Sequence, residues 1–285
     1  NTGIGGYNSF GGGSANQNSF FDCVTDLGVL SPRGTNTAVN SFTRATFHSG
    51  SGGNTDSRWA QVYQYIRKTN LVLEYIHYCD NLSESKMAQY IGEAKLHKAL
   101  LHYEMLKRYG GITIMDDLFE GGNIELPRNT FEECVEYIVH LCEEAAGGLP
   151  LRYPDNDYGR LTKGAALGLK AKVLLYAASP LFNENPIAGT NEIQRYASAD
   201  NTRWDRAAKA ALDVINLKMP DGSPVYELFP SYERLFFTRE ENREFMIMRM
   251  QGMTNNVEVR NGPAGYPGAT GNTSLTQEFI DMFEL

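Results

Sequence analysis

The sequence contains no run of about 18 apolar residues, so it offers no candidate transmembrane helix. It also lacks a basic excess. With 26 Lys and Arg against 34 Asp and Glu, the net charge is -8. That argues against a nucleic-acid partner, because phosphate contacts call for a basic face. The opening residues, NTGIGGYNSFGGGSANQNS, have neither the charged nor the apolar region of a signal peptide. Cysteine is sparse: Cys23, Cys79, Cys134 and Cys142, with no C-x-x-C pair and no histidine at metal-ligand spacing. Cys134 and Cys142 fall on one expected helix, about 12 Å apart by helix rise, too far to bond to each other. All four read as small buried apolar side chains. Catalytic signatures are missing as well: no G-x-S-x-G, H-E-x-x-H or P-loop is present. The acidic pairs Asp116-Asp117, Glu132-Glu133 and Glu143-Glu144 sit in a turn and on helix surfaces. A glycosidase needs two carboxylates facing a cleft at about 5–10 Å, so these read as a solvated acidic face. His97 and His102 lack the i, i+4 spacing that would bring two ligands together. No catalytic residue, metal or cofactor is expected, and the chain reads as a non-enzyme.

What is present is helical patterning, in 285 residues that are 42% hydrophobic. The organising stretch is GRLTKGAALGLKAKVLLYAASPLFN, Gly159 to Asn183. From Leu161 to Ala178 no proline interrupts it, and Ser179-Pro180 ends it because the residue before proline is pushed out of the α region. Its interior is small: Gly164, Ala165, Ala166, Gly168, Ala171, Ala177 and Ala178. Each internal glycine costs about 1 kcal/mol of helix stability relative to alanine. Close approach of neighbouring helices is the expected return, which makes this helix the spine of an array.

Around it the other elements fall in order. Residues 1–56 are rich in Gly, Ser, Asn and Thr, with one apolar piece at Phe20 to Val24 that reads as the start of a helix running to Leu30. Trp59, Val62, Tyr63, Ile66, Leu73 and Ile76 form one apolar helical stripe. Asn70 lies on it and should bond to backbone. A second helix, capped near Ser83, carries Met87, Tyr90, Ile91, Ala94, Leu101 and Met105 inward and stops at Gly110-Gly111. The short connection makes these two antiparallel neighbours. The third opens on the T-x-x-E capping box Thr130 to Glu133. A later helix, roughly Arg203 to Leu217, has the expected inner face Trp204, Ala207, Ala208, Ala211, Val214 and Ile215. Ser231 to Phe237 reads as a short helix, Arg243 to Met250 as extended, and Leu275 to Leu285 as a short amphipathic helix. Stopping on that apolar element suggests a chain that continues. Helix pairs of about 30–45 residues are the pattern of tetratricopeptide-type arrays. The fold class expected is mainly α, a right-handed array of such pairs with long irregular loops. Its repeat core is expected at about 57–237.

Two long loops, 31–56 and 252–274, carry amides, arginine and aromatics, the mixture that stacks on sugar rings and engages their hydroxyls. Loops of this length are often functional. Candidate ligand contacts are Arg33, Asn36, Asn40, Phe42, Phe47, Asn261 and Tyr266. A rival reading is a helical-repeat scaffold that binds protein or peptide through its helix faces. A hydrolase ranks last, because no carboxylate pair stands out.

Several stretches, in order, resemble the SusD/RagB family. They are Trp59 to Asn70 (WAQVYQYIRKTN), Gly92-Glu93-Ala94 through Tyr109-Gly110-Gly111-Ile112, and Arg128-Asn129-Thr130. Gly159 to Ala166 (GRLTKGAA), Ala171 through Asn183, Trp204 to Ala208 (WDRAA) and Leu275 to Glu284 complete the set. The resemblance implies a single domain of tetratricopeptide-like helix pairs over 1–285, incomplete at both ends. It further implies a surface-exposed outer-membrane lipoprotein, anchored through an N-terminal lipid, that binds oligosaccharides without cleaving them. Its implied partner is a SusC-like TonB-dependent transporter. The family's lipobox cysteine is absent, since Cys23 stands in the wrong context for it. Family ligand residues vary and form no motif that transfers to numbered positions.

Overall fold

The structure is a computed structural model that describes residues 9–10, 19–20, 25–30, 45–46, 59–118, 125–184, 189–238, 242–248, 265–266 and 273–283. The chain divides into two compact units, 1–58 with 251–285, and 59–250.

In the first unit, β1 (Ser9–Phe10) pairs antiparallel with β2 (Ser19–Phe20). The strand β3 (Gly28–Leu30) pairs antiparallel with a distant segment, Thr273–Leu275, with Val29 opposite Ser274. The helix expected to run from Phe20 to Leu30 therefore does not extend through the described residues 25–30. Glycine and a β-branched valine suit the strand pairing better than a helix interior.

The second unit is helical. Helix α1 (Trp59–Tyr75) ends in a 3₁₀ turn, Ile76–Tyr78, and buries Val62, Ile66 and Asn70. As the stripe required, Asn70 finds backbone partners: its Nδ2 donates to the Met115 carbonyl at 3.0 Å. Helix α2 (Glu84–Tyr109) is capped by Ser83, whose hydroxyl accepts from the Lys86 amide, and stops at Gly110, whose φ is 71°. Helix α3 (Phe131–Gly148) begins with the full capping box: Thr130 Oγ1 accepts from Glu133 N at 3.1 Å, and Glu133 Oε2 accepts from Thr130 N at 2.7 Å. The spine, α4 (Lys163–Ala178), starts two residues later than the pattern suggested, behind the cap Thr162. Pro180 then opens α5 (Pro180–Asn183), one turn long. Helix α6 (Thr202–Ile215) and the one-turn α7 (Tyr232–Leu235) follow. Of Arg243 to Met250, expected as a strand or extended piece, the described residues 243–248 form no strand. In the first unit, β4 (Thr273–Leu275) leads into α8 (Gln277–Asp281).

Successive helices are neighbours: α1 packs on α2, α2 on α3, α3 on α4, and α4 on α6. This is the mainly α, tetratricopeptide-like fold expected. The core runs through Leu96, Met105, Leu106, Phe131, Ile138 and Val173, all essentially without solvent exposure. Glycines permit close helix approach at Gly92 and Gly148, between α2 and α3. A methyl group on Gly148 would stand 2.4 Å from the Ala88 carbonyl oxygen.

Two expectations need correction. On α6 Ala207 and Val214 are buried as expected, and Ala210 joins them in one stripe, while the other four expected residues, Trp204, Ala208, Ala211 and Ile215, form an exposed stripe. Both stripes have helical spacing. The one that meets α4 has the smaller side chains, which let the two helices come close. Cys79 is exposed, not buried; Cys134 and Cys142 are buried, and Cys23 lies outside the described residues.

Candidate functional site

Helix α2 carries two charged side chains into the helical packing, and each anchors a different loop. Glu93 faces the loop before α4. Its Oε1 accepts from Arg160 Nε at 2.9 Å and from the Tyr153 hydroxyl at 2.8 Å. Its Oε2 accepts from Arg160 Nη2 at 2.8 Å. The guanidinium also donates to Asp157 Oδ1 at 3.3 Å and lies over the rings of Tyr90 and Tyr153. Burial opposes ionisation of Glu93, but the bonds from Arg160, Tyr153 and Gln89 outweigh it and hold the carboxyl below the usual range. Glu93 first, with Asp157, holds the Arg160 proton more tightly, and burial beside the carboxylate pushes the Tyr153 phenol up.

Lys98 faces the segment after α2. Buried itself, it pairs with Asp116, whose Oδ1 also accepts from the Tyr137 hydroxyl. Burial would raise the Asp116 carboxyl, yet Lys98 and Tyr137 hold it low. His102, one turn further along α2, donates from Nδ1 to the Lys98 carbonyl at 2.8 Å. Its Nε2 is buried and has no partner among the described residues. Burial drives its pKa down to about 4.

The loop that Glu93 anchors forms one wall of a cleft of about 450 Å³. Residues from 151–162 line one side, 242–248 the other, with Val225 and Tyr226 between them. Tyr226 is delivered by a turn in which Met219 N donates to Ser223 O at 2.8 Å and Val225 N to Leu217 O at 3.0 Å. Its hydroxyl lies 2.9 Å from Thr162 Oγ1. The spine glycines now find their purpose. A methyl on Gly164 would stand 2.1 Å from the Tyr226 ring, and one on Gly168 would stand 2.7 Å from Met246 Sδ. They admit cleft residues, not a neighbouring helix as expected. Arg152 donates to the Val225 carbonyl. Asn242 donates to the carbonyls of Leu235 and Thr238 and accepts from Glu244 N, which fixes the far wall. Phe245 reaches from that wall to Phe236, which with Tyr232 makes an exposed aromatic surface.

Aromatic rings and guanidinium donors suit stacking and hydrogen bonding. Among the described residues that line the cleft, one is an acid, Asp155. Among the described residues, no group of three or more His, Cys, Asp or Glu is placed to hold a metal ion.

Of the sequence-derived contact residues, Arg33, Asn36, Asn40, Phe42, Phe47 and Asn261 lie outside the described residues. Tyr266 is described and is 70% exposed. The cleft residues Arg152, Tyr226 and Arg243 were not anticipated. Gly164 and Gly168 were the signal that something close-packed must lie against the spine.

With this geometry in hand, the chain can be set beside known proteins. A SusD-like family model, described as starch-binding and associating with the outer membrane, matches residues 13–175. That is more than half of the chain, and the chain belongs to this family. A SusD-like protein of Bacteroides ovatus is 25% identical over 201 residues, covering 70% of this chain and 33% of that protein. The crystal structure of a SusD-like protein from Bacteroides fragilis matches with a TM-score of 0.71 at 26% identity, over 93% of this chain and 48% of the other. A laminarin-binding SusD-like protein shares the fold, with a TM-score of 0.62 at 20% identity over 84% of this chain and 46% of its own. The chain thus spans a third to a half of these relatives.

Proposed function

We propose that this chain is the glycan-binding component of a surface nutrient uptake complex, capturing an oligosaccharide and passing it on uncleaved. The observation that carries the reading is the family match from 13 to 175, which takes in residues 31–56 and reaches the spine helix. The binding of laminarin by a protein of the same fold supports it. The helical unit is a rigid scaffold, and buried polar groups that lose partners in the presence of the wrong sugar would set specificity.

The proposal extends to the loops and the setting. Arg33, Asn36, Asn40, Phe42, Phe47, Asn261 and Tyr266 are the proposed contacts. The two units are read as parts of one SusD-like domain. The setting is the outer-membrane surface, with lipid anchorage and a SusC-like TonB-dependent transporter as partner. The exposed stripe Trp204, Leu212 and Ile215 on α6 favours a second reading, in which a helix face of the scaffold binds protein.

An array of plant, host and microbial oligosaccharides, with chromatography of the incubated mixtures, tests the primary reading. Retention of one glycan class without new products is expected. Cleavage products, or binding of a peptide and no glycan, would promote the rivals.

A further inference from the structure

We propose that the cleft between 151–162 and 242–248 is a subsite for a carboxylate-bearing sugar, a uronic acid unit of an oligosaccharide. The proposal rests on the glycan-binding reading and gives it a substrate class. Its first support is charge. Among the described residues the lining holds three arginines, Arg152, Arg160 and Arg243, and one acid, Asp155; Arg160 is matched by Glu93 and Asp157, and Arg243 by a long pair with Glu227. Arg152 has no ion-pair partner among the described residues, and the Arg243 pair is long at 3.7 Å, so these two guanidiniums can take an anion.

The second support is the state of the three guanidiniums. Arg160 is consumed: Nε, Nη1 and Nη2 all donate to Glu93 or Asp157. It builds the wall and does not receive ligand. Arg152 spends one N–H, from Nη2, on the Val225 carbonyl. Arg243 has Glu227 as its ion-pair partner, 3.7 Å away and beyond hydrogen-bond distance. Two forks with unused N–H groups therefore line one cleft. Guanidinium matches a carboxylate in a two-bond geometry that sugar hydroxyls cannot reproduce, and charge-assisted bonds are roughly twice as strong as neutral ones.

The third support is the apolar complement. Tyr226 stands between the walls, held by its hydroxyl to Thr162. Phe245 lines the cleft and packs on Phe236 at 5.9 Å, and Phe236 and Tyr232 are 64% and 80% exposed. These exposed rings, joined to the lining through Phe245, can carry adjoining sugars. A volume of about 450 Å³ lies in the range of small-ligand sites.

The test is calorimetric titration of the chain with trigalacturonate and trimannuronate, each beside its methyl ester, which keeps the rings and removes the charge. A neutral oligosaccharide panel is run in parallel. At least one acid should bind about tenfold or more tightly than its ester, with an affinity that falls as salt rises. Arg243→Gln should lose about tenfold for the acid and little for the ester, and Arg243→Lys should retain part of the difference. Arg152→Gln serves as a second variant, with thermal melts confirming the fold of each. Equal affinity for acid and ester, or an Arg243→Gln variant that binds the acid like the parent, would overturn the subsite. Neutral glycans binding while both acids fail would overturn it and leave the glycan reading standing. No saccharide binding at all would remove both.

Discussion

Glu93 and Lys98 stand five residues apart on α2, and each ties a loop to the helical packing, but with opposite distributions of burial. On the Glu93 side both partners are shielded: the side chains of Glu93 and Arg160 are 17% and 27% exposed. Several donors share the carboxylate, so no single bond decides it. On the Lys98 side the ammonium is buried and its acid, Asp116, is 58% exposed. A buried cation with one charged partner is the more fragile design, because removing that partner strands the charge. The two loops should thus respond differently to the loss of a carboxylate.

The largest effect is expected from Asp116→Ala, which leaves Lys98 buried and unpaired. A loss of about 3 kcal/mol in denaturant melts is expected. Lys98→Met, which removes the charge and leaves an exposed aspartate, should cost clearly less. Equal costs would break the asymmetry.

The pH response sharpens the Lys98 side. His102 has its pKa lowered from 6.5 to about 4, so between those values the unfolded chain takes up a proton that the folded chain refuses. Its contribution is complete above pH 6.5 and falls as pH drops toward 4, by no more than about 3 kcal/mol. His102→Leu should flatten that part of the stability curve. An unchanged slope would place the titration elsewhere.

On the Glu93 side, Gly164→Ala drives a methyl into the Tyr226 ring and should cost about 2 kcal/mol by overpacking. Thermal melts give the cost, and tyrosine fluorescence reports the displaced ring. Glu93→Gln should be milder, about 1.5 kcal/mol, because Arg160 keeps Asp157 and the amide oxygen still accepts a bond. Hydrogen exchange should show loosening of 150–162 and no change at 112–116. Since the Glu93 pKa lies below its usual 4.5, its stabilisation is present above that value and fades as pH falls through the lowered one.

The elements that end on caps were legible in the sequence. Ser83, the Thr130 to Glu133 box and Gly110 each fix a helix terminus through their own chemistry, and Asn70 announced a backbone partner by sitting on an apolar stripe. The α6 face was half legible: Ala207 and Val214 were placed inward correctly, but the neighbouring stripe 204/208/211/215 satisfies the same periodicity as 207/210/214 and was merged with it. Only the tertiary partner α4 chooses between them. The cleft was invisible for a different reason. Its walls come from 151–162, 225–226 and 242–248, segments without periodicity that meet only when Tyr226 and Met246 settle against Gly164 and Gly168. Glu93 stood inside a resembling stretch, but nothing local tied it to Arg160, 67 residues away.

The most direct test of the account is calorimetric titration of the chain with the glycan class it retains on the array, beside Phe42→Ala and Tyr266→Ala. The account predicts saturable binding with no cleavage products and a weaker affinity in at least one loop variant. Product formation, or affinities unchanged in both variants, would contradict it.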